Sequence, residues 1–182
     1  MKLLQHRLVQ AALTALTLAV VPMAGAAQTC PDVSLTGQAI DQSAGGLAGG
    51  MAFPVVAGGP IDIGLCSDVP GTGFLAESPD FELNLSGMTG QDLQLSATAG
   101  CDSTLLVNDA LGNWSFADDA DGSSNPRLVL PAASDGTYDI WIGTFSADTC
   151  DASLGVQVFP AGTALPTDGG GDGGDEIGRA HV

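Results

Sequence analysis

From residue 81 onward the apolar positions recur every second residue. Phe81, Leu83 and Leu85 alternate with Glu82, Asn84 and Ser86, and after a turn at Gly87–Gly90 the alternation resumes with Leu93, Leu95, Ala97 and Ala99. Successive side chains of a strand leave opposite faces, so this period predicts strands with one buried face. Ser103–Val107 and Asn113–Ala117 flank Asp-Ala-Leu-Gly, a short glycine-bearing connection that predicts a hairpin. Arg127–Leu130 leads through Pro131 and Asp135-Gly136 into Thr137–Phe145, in which Tyr138, Ile140 and Ile142 alternate with Asp139, Trp141 and Gly143, and these two runs are read as a second hairpin. Leu154, Val156 and Val158 give a last half-buried strand. Upstream, Val33–Thr36 is strand-like, Ser43–Gly50 reads as a small-residue loop, and Met51–Val56 and Ile61–Leu65 flank Ala-Gly-Gly-Pro as a further hairpin. Outside the first residues nothing has a helical period. About nine short strands with short connections predict an all-β, antiparallel β-sandwich.

The first residues carry a different pattern. Lys2 and Arg7 precede the apolar run Leu8–Val21, and Ala24-Gly25-Ala26 has the small residues of a cleavage site, so residues 1–26 are expected to be a signal peptide. No second long apolar run follows, and no membrane span is expected. The sandwich is assigned to residues 27–160 and a Gly/Asp-rich linker to 161–175, within which Gly170–Ile177 also matches one calcium-binding β-roll nonapeptide. A single such repeat has no neighbour to stack on, and linker is the better reading. Residues 176–182, Glu-Ile-Gly-Arg-Ala-His-Val, break with everything before them. Read back into codons they match the start of a sequencing adapter, so they are expected to be read-through from an incomplete gene product and are set aside.

Charge then narrows the chemistry. The net charge of −17 becomes −19 once Lys2 and Arg7 are removed, leaving Arg127 and Arg179 as the only cations. A chain so acidic is not expected to bind nucleic acid or anionic lipid. Histidine occurs only at His6 and His181, and lysine only at Lys2. Residues 27–175 therefore lack an imidazole base, a Ser-His-Asp or Cys-His nucleophile system and a Schiff-base lysine, and no catalytic residue is assigned. Cys30, Cys66, Cys101 and Cys150 are even in number, widely spaced and without a CxxC pair, which favours disulfides in an exported chain, secreted or periplasmic. Of three connectivities, Cys30–Cys66 with Cys101–Cys150 is preferred, because the second pair brackets the 101–145 strand block.

Three sets of residues are candidate sites. Asp118, Asp119, Asp121 and Asn125 gather hard oxygen donors in one loop where Gly122 permits a sharp bend, as calcium requires. Without a cation the same loop is a solvated turn with Asx motifs. Trp114, Trp141, Tyr138 and Phe145 would make an aromatic platform for sugar rings, although core packing accounts for them more simply. Glu77 and Glu82 exemplify carboxylate pairs on which a carbohydrate-active enzyme would rely.

The block STLLVNDALGNWSFADDADGSSNPRLVL followed by DGTYDIWIGTF resembles the bacterial pre-peptidase C-terminal domain. The resemblance rests on the Asp102–Val107 strand, the Gly112–Trp114 turn, the Asp118–Pro126 loop and the Gly136–Ile142 strand, and covers about residues 80–160. It implies a jelly-roll-like sandwich, disulfide-linked here, that accompanies peptidases without cutting anything itself. It also implies binding to substrate, surface or calcium; the partner expected here is a surface, glycan or protein, with calcium as the candidate cofactor. The expectation is a non-catalytic secreted binding module, with a carboxylate-based carbohydrate-active enzyme or a lectin-like glycan binder as the alternative.

Overall fold

The structure is a computed structural model and describes residues 29–163. The expected signal peptide, all but the first residues of the linker, the nonapeptide and the 176–182 segment lie outside the described residues. Eleven strands form two sheets: β1 (Gln38–Ser43), β2 (Met51–Ala57), β3 (Ile61–Asp62), β4 (Phe74–Leu75), β5 (Phe81–Ser86), β6 (Gln91–Ala99), β7 (Ser103–Asn108), β8 (Trp114–Ala117), β9 (Arg127–Leu130), β10 (Gly136–Thr144) and β11 (Cys150–Pro160). One sheet runs β1-β5-β10-β4-β3 with β7 and β8 added beside β10, and the other runs β2-β11-β6-β9. Two of them, β3 and β4, are only two residues long, and the Ile61–Leu65 run expected as one strand is β3 followed by a 3₁₀ turn at Ile63–Leu65.

Between the sheets lies the main core, including Phe81, Leu83, Leu93, Leu95, Leu105, Val107, Ile140, Ile142, Leu154 and Val156. These are the period-two positions, and burying them is the main force that fixes register, since a one-residue slip would turn each strand's apolar set to solvent. Tyr138 belongs to this core, and its hydroxyl donates to the Ser134 carbonyl (2.7 Å) and accepts from the Ser134 amide (3.0 Å). A tyrosine that ties its own strand to the preceding corner in this way is a recurrent device of sandwich folds.

A second, smaller core lies on the far face of the first sheet. Ile61, Ile63, Leu75 and Cys66 cover Leu106 and Trp141, with Trp114 and Phe116 at its margin. The Trp114 and Trp141 rings pack with centroids 5.4 Å apart. β7 and the second half of β10 are consequently buried on both faces, so Trp141 and Gly143, which alternate with the inward residues, are covered as well. Gly143 is required there, because a Cβ would stand 2.3 Å from Leu75 and 2.4 Å from the Thr104 hydroxyl.

Several local expectations are corrected. Val33–Thr36 is a turn and loop, and the strand lies further on at β1, which pairs in parallel with β5 and is the exception to antiparallel order. The 43–50 segment contains a one-turn helix, α1 (Ala44–Leu47), capped by the Ser43 hydroxyl accepting from the Gly46 amide. Two of the expected hairpins are absent: β2 pairs with β11 while β3 pairs with β4, and β9 pairs with β6 while β10 pairs with β5 and β7. In each case the turn residues carry the chain from one sheet to the other. The β7–β8 hairpin does form, closed by the Asp109 carboxylate, which accepts from the amides of Leu111 and Asn113 (both 2.8 Å).

Candidate functional site

The acidic residues of the 118–125 loop separate into two groups with different work. Asp118 and Asp119 follow β8, and Asp102 precedes β7, so the antiparallel β7–β8 pair brings all three to the open end of the hairpin. Their carboxylate oxygens lie within 4.8 Å of one another. One oxygen of Asp118 is buried and has no hydrogen-bond partner. Desolvation, then the neighbouring charges of Asp119 and Asp102, push the Asp118 carboxyl above its ordinary range. Three like charges therefore converge where one of them has no compensating donor.

Asp121 and Asn125 are turned to other tasks. Asp121, in the left-handed region at φ 52°, forms an ion pair with Arg127, the sole Lys or Arg among the described residues. The Asn125 side-chain oxygen accepts from the Ala99 amide (2.8 Å) and the Ser103 hydroxyl (3.1 Å), bracing the β6–β7 crossover. Asp102, which the sequence pattern does not single out, takes their place in the cluster. The signal for it lies in the hairpin register: with Leu105 opposite Ala117, the residues before β7 must face those after β8.

The pole around this cluster is tied down covalently. Cys101 is bonded to Cys150, joining the β6–β7 crossover to the start of β11, and Cys30 is bonded to Cys66 beside the smaller core. The described residues contain no free cysteine, which fits an oxidising compartment. The Asp102 carbonyl also accepts from the Phe145 amide (3.0 Å), so Asp102 is held from the β10 side too. Among the described residues no helix is long and apolar enough to cross a membrane.

The aromatic set does not form a platform. Tyr138 and Trp141 are buried in different cores, Trp114 packs against Trp141, and only Phe145 is exposed. As for paired carboxylates, Glu82 lies opposite Asp139 in the β5–β10 register, with Glu77 earlier in the loop before β5. Burial, and next the Glu82 charge, push the Asp139 carboxyl up. Of two surface concavities, one is lined by a single carboxylate, Asp41, and the other by none. A further, half-buried carboxylate, Asp80, accepts from the Ile142 amide at 2.7 Å, and desolvation pushes its carboxyl up to about 6.

No family model matches the chain, and no curated protein matches it. Among solved structures it is similar to the Aeromonas hydrophila protein PliG, a periplasmic lysozyme inhibitor of g-type lysozyme, with 13% identity and a TM-score of 0.41 over 68% of this chain and 98% of that one. It is also similar to the pre-peptidase C-terminal domain of collagenase from Bacillus anthracis, the domain type that the 101–145 block resembles, with 9% identity and a TM-score of 0.38 over 68% of this chain and 96% of that one. At these scores both are likenesses of fold and carry nothing about what this chain does.

Proposed function

We propose that this chain is an exported, non-catalytic binding module in which Asp102, Asp118 and Asp119 hold a calcium ion at one pole of the sandwich. The observation that carries the reading is the convergence of three carboxylates around a buried, unpartnered Asp118 oxygen. Such a cluster is self-repelling, and a divalent cation removes both the repulsion and the missing partner. Calcium takes six to eight oxygen ligands, more than three carboxylates supply one apiece, and water or the oxygens of a surface, glycan or protein partner complete the set. The disulfide and the Asn125 brace hold the pole in place.

The competing reading, a carbohydrate-active enzyme, requires two carboxylates facing each other across a cleft. Glu82 and Asp139 instead stand side by side on adjacent strands. Calcium titration of the oxidised protein tests the proposal. At a hundredfold excess over Kd, a ligand that binds only the folded state stabilises it by about 2.7 kcal/mol, so the unfolding midpoint should rise with calcium concentration. Asp118→Asn with Asp119→Asn should abolish the rise, whereas Asp121→Asn should retain it. No shift at millimolar calcium, or a shift that survives the double substitution, refutes the site.

A further inference from the structure

Gly100-Cys101-Asp102 is the whole connection between β6 in one sheet and β7 in the other, and Cys101 directly precedes a residue of the aspartate cluster. Ala152 of β11 stands opposite Ala99, the last residue of β6, so Cys150 and Cys101 lie two residues beyond the same rung and their bond closes the end of that ladder. The bridge thereby fixes the crossover at its middle residue, one position from Asp102. Asp118 and Asp119 reach the cluster by another route, at the end of β8, and no bridge joins them to the crossover. The distance from Asp102 to the other two carboxylates therefore depends on how firmly the crossover is held. Hydrogen bonds from Ala99, Ser103 and Phe145 assist the bridge, and the repulsion among three like charges works against it.

The two bridges differ in access and in what they hold. Cys101 and Cys150 are both half-buried, whereas Cys66 is buried in the smaller core. Thiol–disulfide exchange needs a path for a thiolate to one sulfur, so access favours the Cys101–Cys150 bond. A dithiol reductant opens it by attack on one sulfur and then closes its own disulfide. Two electrons pass to Cys101 and Cys150, and two protons complete their thiols. The Cys30–Cys66 bridge adjoins none of the three aspartates in sequence and packs at the other core.

Resting on the calcium reading above, we infer that the Cys101–Cys150 bridge is a redox control on the calcium site. Closed, the bridge presents Asp102 to the cluster already in place, and the ion binds without ordering the crossover. Opened, it leaves the crossover free to relax away from Asp118 and Asp119, and the ion must draw it back before Asp102 can serve as a ligand. Affinity for calcium therefore falls on reduction. Linkage makes the effect reciprocal: bound calcium makes this bridge harder to reduce by the same factor. A coupling of about tenfold lies within the usual range for linked sites and corresponds to about 30 mV in a two-electron couple. Calcium that only stabilised the fold as a whole would protect both bridges alike, so Cys30–Cys66 serves as the internal reference.

The test is equilibration of the folded wild-type protein in mixtures of reduced and oxidised dithiothreitol, with and without millimolar calcium chloride, followed by thiol alkylation and peptide mapping of each bridge. Calcium should raise the ratio of reduced to oxidised dithiothreitol needed to open half of Cys101–Cys150 by about tenfold, and should leave Cys30–Cys66 where it was. Asp118→Asn with Asp119→Asn should erase the shift, and Asp121→Asn should retain it. In calorimetric titration with calcium chloride, Cys101→Ser with Cys150→Ser should bind about tenfold more weakly than the oxidised wild type; if that variant does not fold, the exchange measurement on the wild type decides alone. No binding by the oxidised wild type sinks the calcium site and this inference with it. Binding with no shift at Cys101–Cys150, with equal shifts at both bridges, or with undiminished affinity in the folded serine variant overturns the inference and leaves the site standing.

Discussion

Replacing Asp80 by asparagine should make the protein more stable at neutral pH, and the gain should vanish in acid. Asp80 lies just before β5, where β10 exchanges one neighbour for another: its amide donates to the Ile140 carbonyl (2.8 Å) and its carboxylate accepts from the Ile142 amide (2.7 Å). The side chain thus stands in for a ladder bond between the end of β5 and β4. Desolvation is the leading influence and raises its pKa from 3.8 to about 6, against the lowering effect of the Ile142 bond. The sign follows from proton linkage. A folded-state pKa above the unfolded one means that the folded protein binds the proton more tightly, so stability falls as pH rises through the interval from 3.8 to about 6. The full effect of two pKa units is about 3 kcal/mol, and between pH 7.5 and pH 4.5 about 2 kcal/mol of it should be recovered. Asparagine keeps an acceptor for the Ile142 amide without the half-buried charge. Urea unfolding of both proteins at the two pH values isolates the residue, because self-repulsion among the other acids cancels in the double difference. A difference between variant and wild type that does not change with pH, or a variant less stable at pH 7.5, would refute the reasoning.

Three further substitutions probe the corners and the acidic loop. Tyr138→Phe removes a hydroxyl that serves both the carbonyl and the amide of Ser134, and should cost about 1–3 kcal/mol in urea unfolding; a loss below a few tenths would mean that the corner holds without it. Asn125→Ala should cost a similar ~1–3 kcal/mol, because the Ala99 amide and Ser103 hydroxyl lose their acceptor. Asp121→Ala, which breaks only a solvent-accessible ion pair, should cost at most about 1 kcal/mol, and a reversal of that order would show the brace to be misassigned.

The strands were legible wherever one face alone is buried. Phe81–Ser86 and Gln91–Ala99 alternate in sequence as they do in burial. Partner choice was legible for the β7–β8 hairpin but not for the other two expected hairpins, because Gly-Pro and Asp-Gly announce a change of direction without saying whether the chain stays in its sheet or crosses to the other. Ala57–Pro60 and Pro131–Asp135 both cross. β1 was missed because Ile40 is its one buried side chain, leaving an edge strand that reads as polar. The smaller core was hidden for the opposite reason: its cover comes from the 61–75 segment, in which two-residue strands and a 3₁₀ turn carry no period. At the acidic pole, the density of aspartates was plain in the sequence. Their division between a cluster, an ion pair and a brace depends on register and on where the lone Arg127 lies.

The two disulfides also decide how the molecule would yield if drawn out by its ends. Tension entering at Cys30 passes directly to Cys66, and tension reaching Cys101 passes directly to Cys150, so the residues enclosed by each bridge bear no load. The larger bridge spans 49 positions in the chain, which withholds on the order of 170 Å of extension. Asp102, Asp118 and Asp119 all lie inside it. Outside it, the pull runs up β6 and returns down β11, whose last residue, Pro160, sits opposite the first residue of β6, Gln91. These neighbours would separate rung by rung from that end, as a zipper does, while the acidic pole at the other end stays inside a closed covalent ring.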